Sequence, residues 1–451
     1  MKTKEVNMLS GSVMKGLFAM SLPIILMNVF QLLFNAIDMT VLGSYASDAA
    51  VGAVGVCGTH ISLFTGLVGG VASGANVVIS RFLGHGDRDK AERAVGTSLI
   101  VGLIGGFLLL AVGVFFAKDL LLIIDCDESL LPEATRYFQL YFCSLPAYMV
   151  YYFSAGILRA RGETRLPMIH LLIGAGIKVI LNIIFVVGFH MTVDGVGFAT
   201  IVANLISAVL AFRAVYQMEG ELRFSWENLR IFKSELGQIL FMGIPVGIET
   251  ALYSFANLAI QAVVNGYGPD ATTGYSIASQ FNNIIYQVCV GTSYAVMPYV
   301  AQNVGAGNLS RVREVVRKAM LITVILGGGS GWLCAIFAKS LASLMSKTPA
   351  VIDFAQDQII LVSGLYFLCG IMFALNAVLR GLGRPIVPTV STMAFMFVLR
   401  FVWVWFIYPL YPTPVFLYTV WPVGWVLCIA TVLCFYFPTM VKWKKHLALE
   451  S

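Results

Sequence analysis

Ser80-Arg81-Phe82-Leu83-Gly84-His85-Gly86-Asp87 and Ala301-Gln302-Asn303-Val304-Gly305-Ala306-Gly307-Asn308 each close a long apolar run, and each is followed by an amphipathic basic stretch. Outward from these two octapeptides the chain keeps repeating itself. Pro23 falls on Pro245 and Asp48-Ala49 on Asp270-Ala271, while Leu158-Arg159 with Gly162 and Pro167 fall on Leu379-Arg380 with Gly383 and Pro388. The offset is 221 to 222 residues throughout. Self-similarity at a fixed offset means two copies of one structural unit.

What each copy contains follows from composition. Of the 451 residues 59% are hydrophobic and only 12% charged, with a mean hydropathy of +0.85; soluble domains carry about 25% charged residues. A helix crossing a bilayer needs about 20 mostly apolar residues. Runs of that length lie near 14–42, 50–80, 94–117, 131–158, 166–190, 194–215, 237–265, 271–303, 316–338, 354–379, 386–409 and 415–440. The expected fold is therefore an all-α integral membrane protein of twelve transmembrane helices. Six helices per copy is an even number, so both copies enter the membrane from the same side, as parallel repeats about an axis along the membrane normal. The expected domains are an N-terminal six-helix lobe at 1–215, a linker at 216–236 and a C-terminal six-helix lobe at 237–451. The linker segment Glu219-Gly220-Glu221-Leu222-Arg223-Phe224-Ser225-Trp226 reads as a surface connector without chemistry of its own.

The formal charge of +6 does not point to nucleic acid, because the basic residues form no single patch. They recur between apolar runs: Lys2, Lys4 and Lys15, Arg81 to Arg93, Arg159 to Arg165, Arg213 to Lys233, Arg311 to Lys318, Arg380 and Arg384, and Lys442 to Lys445. These are the termini and the even-numbered connections, so the positive-inside rule places both termini and the linker in the cytoplasm. The eight cysteines stand singly, mostly inside apolar runs, and indicate neither a disulfide framework nor a metal site. The first apolar run carries Asn28, Gln31, Asn35 and Asp38, which fits a retained helix and not a cleaved signal peptide.

An ionisable group inside a spanning helix costs on the order of 2.5–3.5 kcal/mol on insertion scales, so each one calls for an account. Asn28, Gln31, Asn35 and Asp38 follow one another at intervals of 3, 4 and 3 and share one helical face. That face is expected to point into the bundle or a water-filled cavity, where Asp38 can take up a proton or bind Na⁺. Lys178 and Asn182 stand one turn apart in the fifth helix, and Lys178 is the evident partner for Asp38, in a coupling role or as a structural ion pair. In the seventh helix Glu249, Tyr253, Asn257 and Gln261 recur every fourth residue, and the eighth adds Gln280, Asn283 and Gln287. Gln31 with Glu249, Tyr253, Asn257, Gln261, Gln280 and Asn283 are the candidate substrate contacts. Arg400 in the eleventh helix reads as an interhelical structural charge. The five histidines are scattered, and no phosphate-binding loop, H-E-x-x-H or G-x-S-x-G motif is present, so neither ATP hydrolysis nor enzymatic activity is expected.

On these residues the chain resembles the multidrug and toxic compound extrusion (MATE) family, in a bacterial DinF-like branch. The resemblance covers nearly the whole chain. It rests on Asn35-Ala36-Ile37-Asp38 followed by Val41-Leu42-Gly43, on the two octapeptides that open this section, and on Arg159-x-x-Gly162 and Arg380-x-x-Gly383. It implies a V-shaped pair of six-helix lobes and export of cationic or amphipathic compounds against inflow of H⁺ or Na⁺. By the same resemblance Asp38 is the cation-coupling carboxylate, Asn182 belongs to the cluster on the fifth helix, and Thr200 matches a threonine on the sixth. Related members often read N-x-x-x-D on the fifth helix; here Val186 stands where the second acid would be. Glu249 also lies one turn nearer Pro245 than the corresponding acid of the NorM-like branch.

The function expected is thus secondary antiport in a bacterial inner membrane, by a monomer, with H⁺ or Na⁺ as coupling ion and no cofactor. The partners expected are a small-molecule substrate and the bilayer. A flippase for lipid-linked precursors is the alternative, disfavoured by the few intramembrane cations, and a channel is disfavoured by the duplicated lobes.

Overall fold

The computed structural model describes residues 5–123, 126–220 and 222–450. Every expected apolar run is helical there. The first half holds α1 (Val13–Tyr45), α2 (Asp48–His85), α3 (Arg88–Phe115), α4 (Leu131–Cys143 and Leu145–Ala160), α5 (Arg165–Gly188) and α6 (Val193–Tyr216). The second holds α7 (Lys233–Asn265), α8 (Pro269–Gly305), α9 (Leu309–Ile336), α10 (Pro349–Ser363 and Tyr366–Gly381), α11 (Ile386–Leu410) and α12 (Pro414–Lys445). Among the described residues nine of these are long and apolar enough to cross a bilayer by themselves, and α10 makes ten as a pair bent by 42°. The span expected at 131–158 is broken at Ser144, one residue before the Leu145-Pro146 start of its second helix. Proline lacks the N–H that would continue the first helix, so the break falls there. Short helices at Ala117–Leu122 and Ala338–Met345 follow α3 and α9, one in each half.

The octapeptides are helix ends. Gly86 and Gly307 have φ of 75° and 70°, the left-handed region in which glycine carries no Cβ penalty. Gly86 and Asp87 donate back to the carbonyls of Leu83 and Phe82, and Gly307 and Asn308 to those of Val304 and Asn303. This pair of bonds satisfies carbonyls that the helix end would otherwise orphan. The next residue caps the following helix: the Asp87 carboxylate accepts from the Lys90 amide at 3.1 Å, and the Asn308 side chain from the Arg311 amide at 3.0 Å. Lys90, which also holds an ion pair with Asp87 at 2.7 Å, keeps that carboxyl below the usual carboxylate range. Gly162 and Gly383, at φ of 90° and 84°, close α4 and α10 in the same way.

The chain divides into two compact units, Met1–Val6 with Leu26–Gly247, and Asn7–Ile25 with Ile248–Ser451. Their borders lie near Pro23 and Pro245, inside α1 and α7, whereas the sequence-based borders lay at the 216–236 connection. That connection is docked on the first unit. Thr97 donates to the Arg230 carbonyl at 3.3 Å and accepts from the Phe232 amide at 3.2 Å, and the guanidinium groups of Arg93 and Arg230 lie over the Phe232 ring. Two arginines assigned above to the cytoplasmic connections need correction, because Arg159 and Arg380 are buried at the ends of α4 and α10. The last helical turn extends past the apolar run, so a charge that ends the run in sequence is still inside the bundle.

The core of the first unit centres on Phe138 and Phe142, both fully buried and stacked at 4.3 Å, and that of the second on Trp425 against Tyr366. In the first unit α2 and the start of α7 meet through glycines. A Cβ on Gly70 would stand 2.2 Å from the Gly247 nitrogen, and one on Gly74 2.4 Å from the Ile239 carbonyl oxygen. In lipid, helix association rests on such close approach, since apolar burial favours no helix partner over acyl chains. Gly74→Leu is therefore expected to destabilise the protein by about 1–3 kcal/mol or more, read as a lowered unfolding temperature in detergent. Gly237→Ala, with nothing within 4 Å of its Cβ, is expected to leave that temperature unchanged.

Candidate functional site

The polar face of α1 meets α5 inside the first unit. Asp38 is 5% exposed, and its two carboxylate oxygens face two donors: Lys178 Nζ lies 2.5 Å from Oδ2 and Asn182 Nδ2 2.5 Å from Oδ1. Both donors come from α5 one turn apart, and α5 changes to a wider π-helical turn at Ile183–Gly188, directly after Asn182. Such turns occur often at functional sites. Among the described residues the buried Oδ1 of Asn182 has no hydrogen-bond partner, which leaves one acceptor beside the pair. Val186, at the position of the missing second acid, is fully buried in the apolar core.

Asp38 and Lys178 line a cavity of about 320 Å³. Gln31, Asn35 and Thr200 line it too, so the cation-coupling residues expected from the sequence are brought together, with Asn182 entering through its bond to Asp38. Thr200 spends its hydroxyl proton on the Val196 carbonyl at 2.8 Å, and Gln31 donates to the Tyr152 hydroxyl at 3.5 Å. The sequence reading missed the opposite wall. Tyr137, Tyr141 and Tyr148 from α4, with Asn204 from α6, supply aromatic faces and an amide held on Ser144 at 3.0 Å. The Tyr137, Tyr141, Tyr148 spacing of four and seven was the available signal, indistinguishable by itself from a packing stripe. The cavity thus offers one carboxylate, one ammonium, several amides and aromatic rings, a surface suited to a flat organic molecule with a polar end.

In the second unit the expected substrate residues that are described fall into separate clusters. Glu249 is buried and takes an ion pair from Arg380, with Thr389 donating at 3.5 Å. Arg380 was the missed partner; Leu-Arg-x-x-Gly at the end of the fourth helix of each repeat was its signal. Asn257 accepts from Arg400 at 2.6 Å, and Arg400, 1% exposed, also lies 5.5 Å from the Trp421 ring. Arg400 is therefore an interhelical charge, as its position suggested. Gln261 donates to Asn265 one turn on, while Gln280 and Asn283 are exposed. Beside Asn283, the buried amide is Asn282, which accepts from Ser363 at 2.8 Å. The side chain of Tyr253 lies outside the described residues.

The repeat relates these two clusters. The offset of 222 places Lys178 on Arg400 and Asn35 on Asn257, so each half uses a cation of its fifth helix to hold a polar group of its first. Asp38 falls on Ile260, which is fully buried and apolar. Only the first half has a carboxylate at this place. Among the described residues no group of three or more His, Cys, Asp and Glu could hold a resident metal ion.

The MatE family profile matches residues 23–184 and 245–406, once in each half and in step with the repeat. The probable multidrug resistance protein YpnP of Bacillus subtilis is 26% identical over 401 residues, covering 88% of this chain and 89% of that protein. The probable multidrug resistance protein YoeA of the same organism is 24% identical over 389 residues, covering 85% and 84%. Among solved structures, the outward-facing conformation of a multidrug resistance MATE family transporter of the MOP superfamily matches with a TM-score of 0.89. It does so over 99% of this chain and 100% of that one, at 17% sequence identity, which speaks for the fold.

Removing one partner of a buried ion pair strands the other and costs about 3–5 kcal/mol. Asp38→Asn and Lys178→Met are each expected to lower thermal stability, and the double variant to lose less than the sum of the two. Additive losses in that cycle would mean that the two side chains do not interact.

Proposed function

This chain belongs to the MatE family, and on that premise we propose that it exports small cationic or amphipathic organic compounds in exchange for H⁺ or Na⁺ acting at Asp38. The observation that carries the reading is Asp38 itself. A single buried carboxylate, held by donors on another helix, lines a cavity large enough for a ligand. Coupling requires that ion and substrate prefer different states of the protein or compete for one site. A proton on Asp38 removes the charge that holds Lys178 and so frees α1 from α5. Na⁺ needs oxygen ligands, which the Asp38 carboxylate and the unbonded Oδ1 of Asn182 offer once Lys178 moves aside. Either event changes how α1 and α5 are held, and with them the walls of the cavity.

The apolar, multi-pass chain resides in a membrane. We place it in a bacterial inner membrane as a monomer, with both termini and the 216–236 connection cytoplasmic, because the basic residues concentrate there. The tyrosines of α4 would stack on a flat cationic compound, and Gln31, Asn35 and Asn204 would hydrogen-bond its polar groups.

Ethidium accumulation in everted vesicles or proteoliposomes, under an imposed pH or Na⁺ gradient, tests the reading. Gradient-driven accumulation is expected with the native chain and its loss with Asp38→Asn, and the effective gradient identifies the ion. Folded protein that moves ethidium under neither gradient would sink drug export. Undiminished transport by Asp38→Asn would remove the coupling role from that carboxylate.

A further inference from the structure

A second concavity of the first unit, about 690 Å³, opens on the outer surface between α3, α4 and α6. Its floor is low because Ala147, Ala208 and Pro146 stand there, and its flanks are high because Phe107, Leu205 and Val209 project beside them. Those three flank residues are 54–58% exposed, as side chains that face acyl chains are. The groove is almost wholly apolar except at one end. There Arg213, in the last turn of α6, lines the groove together with Tyr216 and Trp226. Trp226 belongs to the 216–236 connection and is held by Phe224, whose ring lies 5.0 Å from it and 5.7 Å from those of Phe212 and Tyr216. The connection that read as featureless therefore builds the mouth of this groove.

Three observations identify the occupant. The first is length: the groove runs along α6 from Ile201 to Arg213, about 18 Å at 1.5 Å per residue, which matches the roughly 15 Å acyl-chain depth of one leaflet. The second is charge. Lys178, Arg380 and Arg400 each have a polar protein partner on another helix, whereas among the described residues no carboxylate lies within 4 Å of exposed Arg213. The third is the aromatic pair at the same level, since Tyr and Trp gather at headgroup depth. We propose that this groove binds one anionic phospholipid, with its phosphate on Arg213, its headgroup beside Tyr216 and Trp226, and one acyl chain along Phe107, Leu205 and Val209. Basic pockets between membrane helices are suited to such headgroups. The proposal rests on the membrane embedding of α3, α4 and α6 and not on what the protein transports.

The test is lipid retention by the full chain, read by native mass spectrometry after exchange against equimolar phosphatidylglycerol and phosphatidylcholine. The native chain is expected to retain one phospholipid and to prefer phosphatidylglycerol about fivefold, the effect of one basic side chain near a headgroup. Arg213→Gln is expected to bring that preference to parity while lipid is still retained. Ala147→Phe, which fills the floor, is expected to abolish retention of both lipids. Val209→Trp narrows the same groove from an exposed position and serves where Ala147→Phe does not fold. Retention of no lipid by the native chain, retention without headgroup preference, or a preference that survives Arg213→Gln would each overturn the proposal, as would a polypeptide found in the groove in place of lipid. None of these outcomes depends on transport, so the export reading stands or falls separately.

Discussion

Charge inside an apolar slab is the constraint around which this protein is built. A lone ammonium or guanidinium in a spanning helix has no water to turn to, so it must find an acceptor on a neighbouring helix. Lys178 finds Asp38, Arg380 finds Glu249, and Arg400 finds Asn257 and the face of Trp421. Each bond pins the first helix of a half to a later helix of the same half, α1 to α5 in one and α7 to α10 and α11 in the other. These are directional attachments in a medium where apolar packing alone discriminates little between helix partners.

Duplication then explains both what the halves share and where they differ. They share glycine-capped helix ends, a short helix after the third span, and a cation at the same place in the fifth. They differ at the position of Asp38, where the second half has Ile260. An ion pair can be made and broken by a proton or a metal cation, whereas Asn257 and the Trp421 ring, which the Arg400 guanidinium meets, carry no charge to lose. At this place of the repeat the first half therefore has an ion pair and the second a guanidinium on an amide, while the second half's own buried ion pair, Glu249 with Arg380, lies elsewhere. The Glu249–Arg380 pair joins different positions of the repeat; in the first half Met27 stands at the position of Glu249, and Arg159 donates to the Ala155 carbonyl.

Much of this was legible in the chain. Apolar runs of spanning length gave the helices because twenty residues without a charge have little alternative in a bilayer, and the octapeptides gave the repeat because only glycine adopts the left-handed caps at low cost. The Asp38, Lys178 and Asn182 cluster was legible too, since a charge within a span demands a partner and few were available. The break at Ser144, the docking of the 216–236 connection on α3, the burial of Arg159 and Arg380, and the tyrosine wall were not. Each depends on which helices become neighbours, and a residue near the end of a run reads the same whether it meets water or another helix.

The sequence by itself therefore determined class, helix count, repeat symmetry and the residues that had to be paired, because these follow from hydropathy and from the cost of charge in lipid. Only the tertiary structure decided the pairings themselves: Glu249 with Arg380, Asn257 with Arg400, Asn282 in place of Asn283, and the convergence of Gln31, Asn35, Asp38, Lys178 and Thr200 on one cavity with the tyrosines of α4. The physical reason is that helical periodicity tells which side chains share a face, whereas what a face meets is set by close packing. That packing depends on glycines such as Gly70 and Gly74, whose significance appears only when a second backbone lies against them.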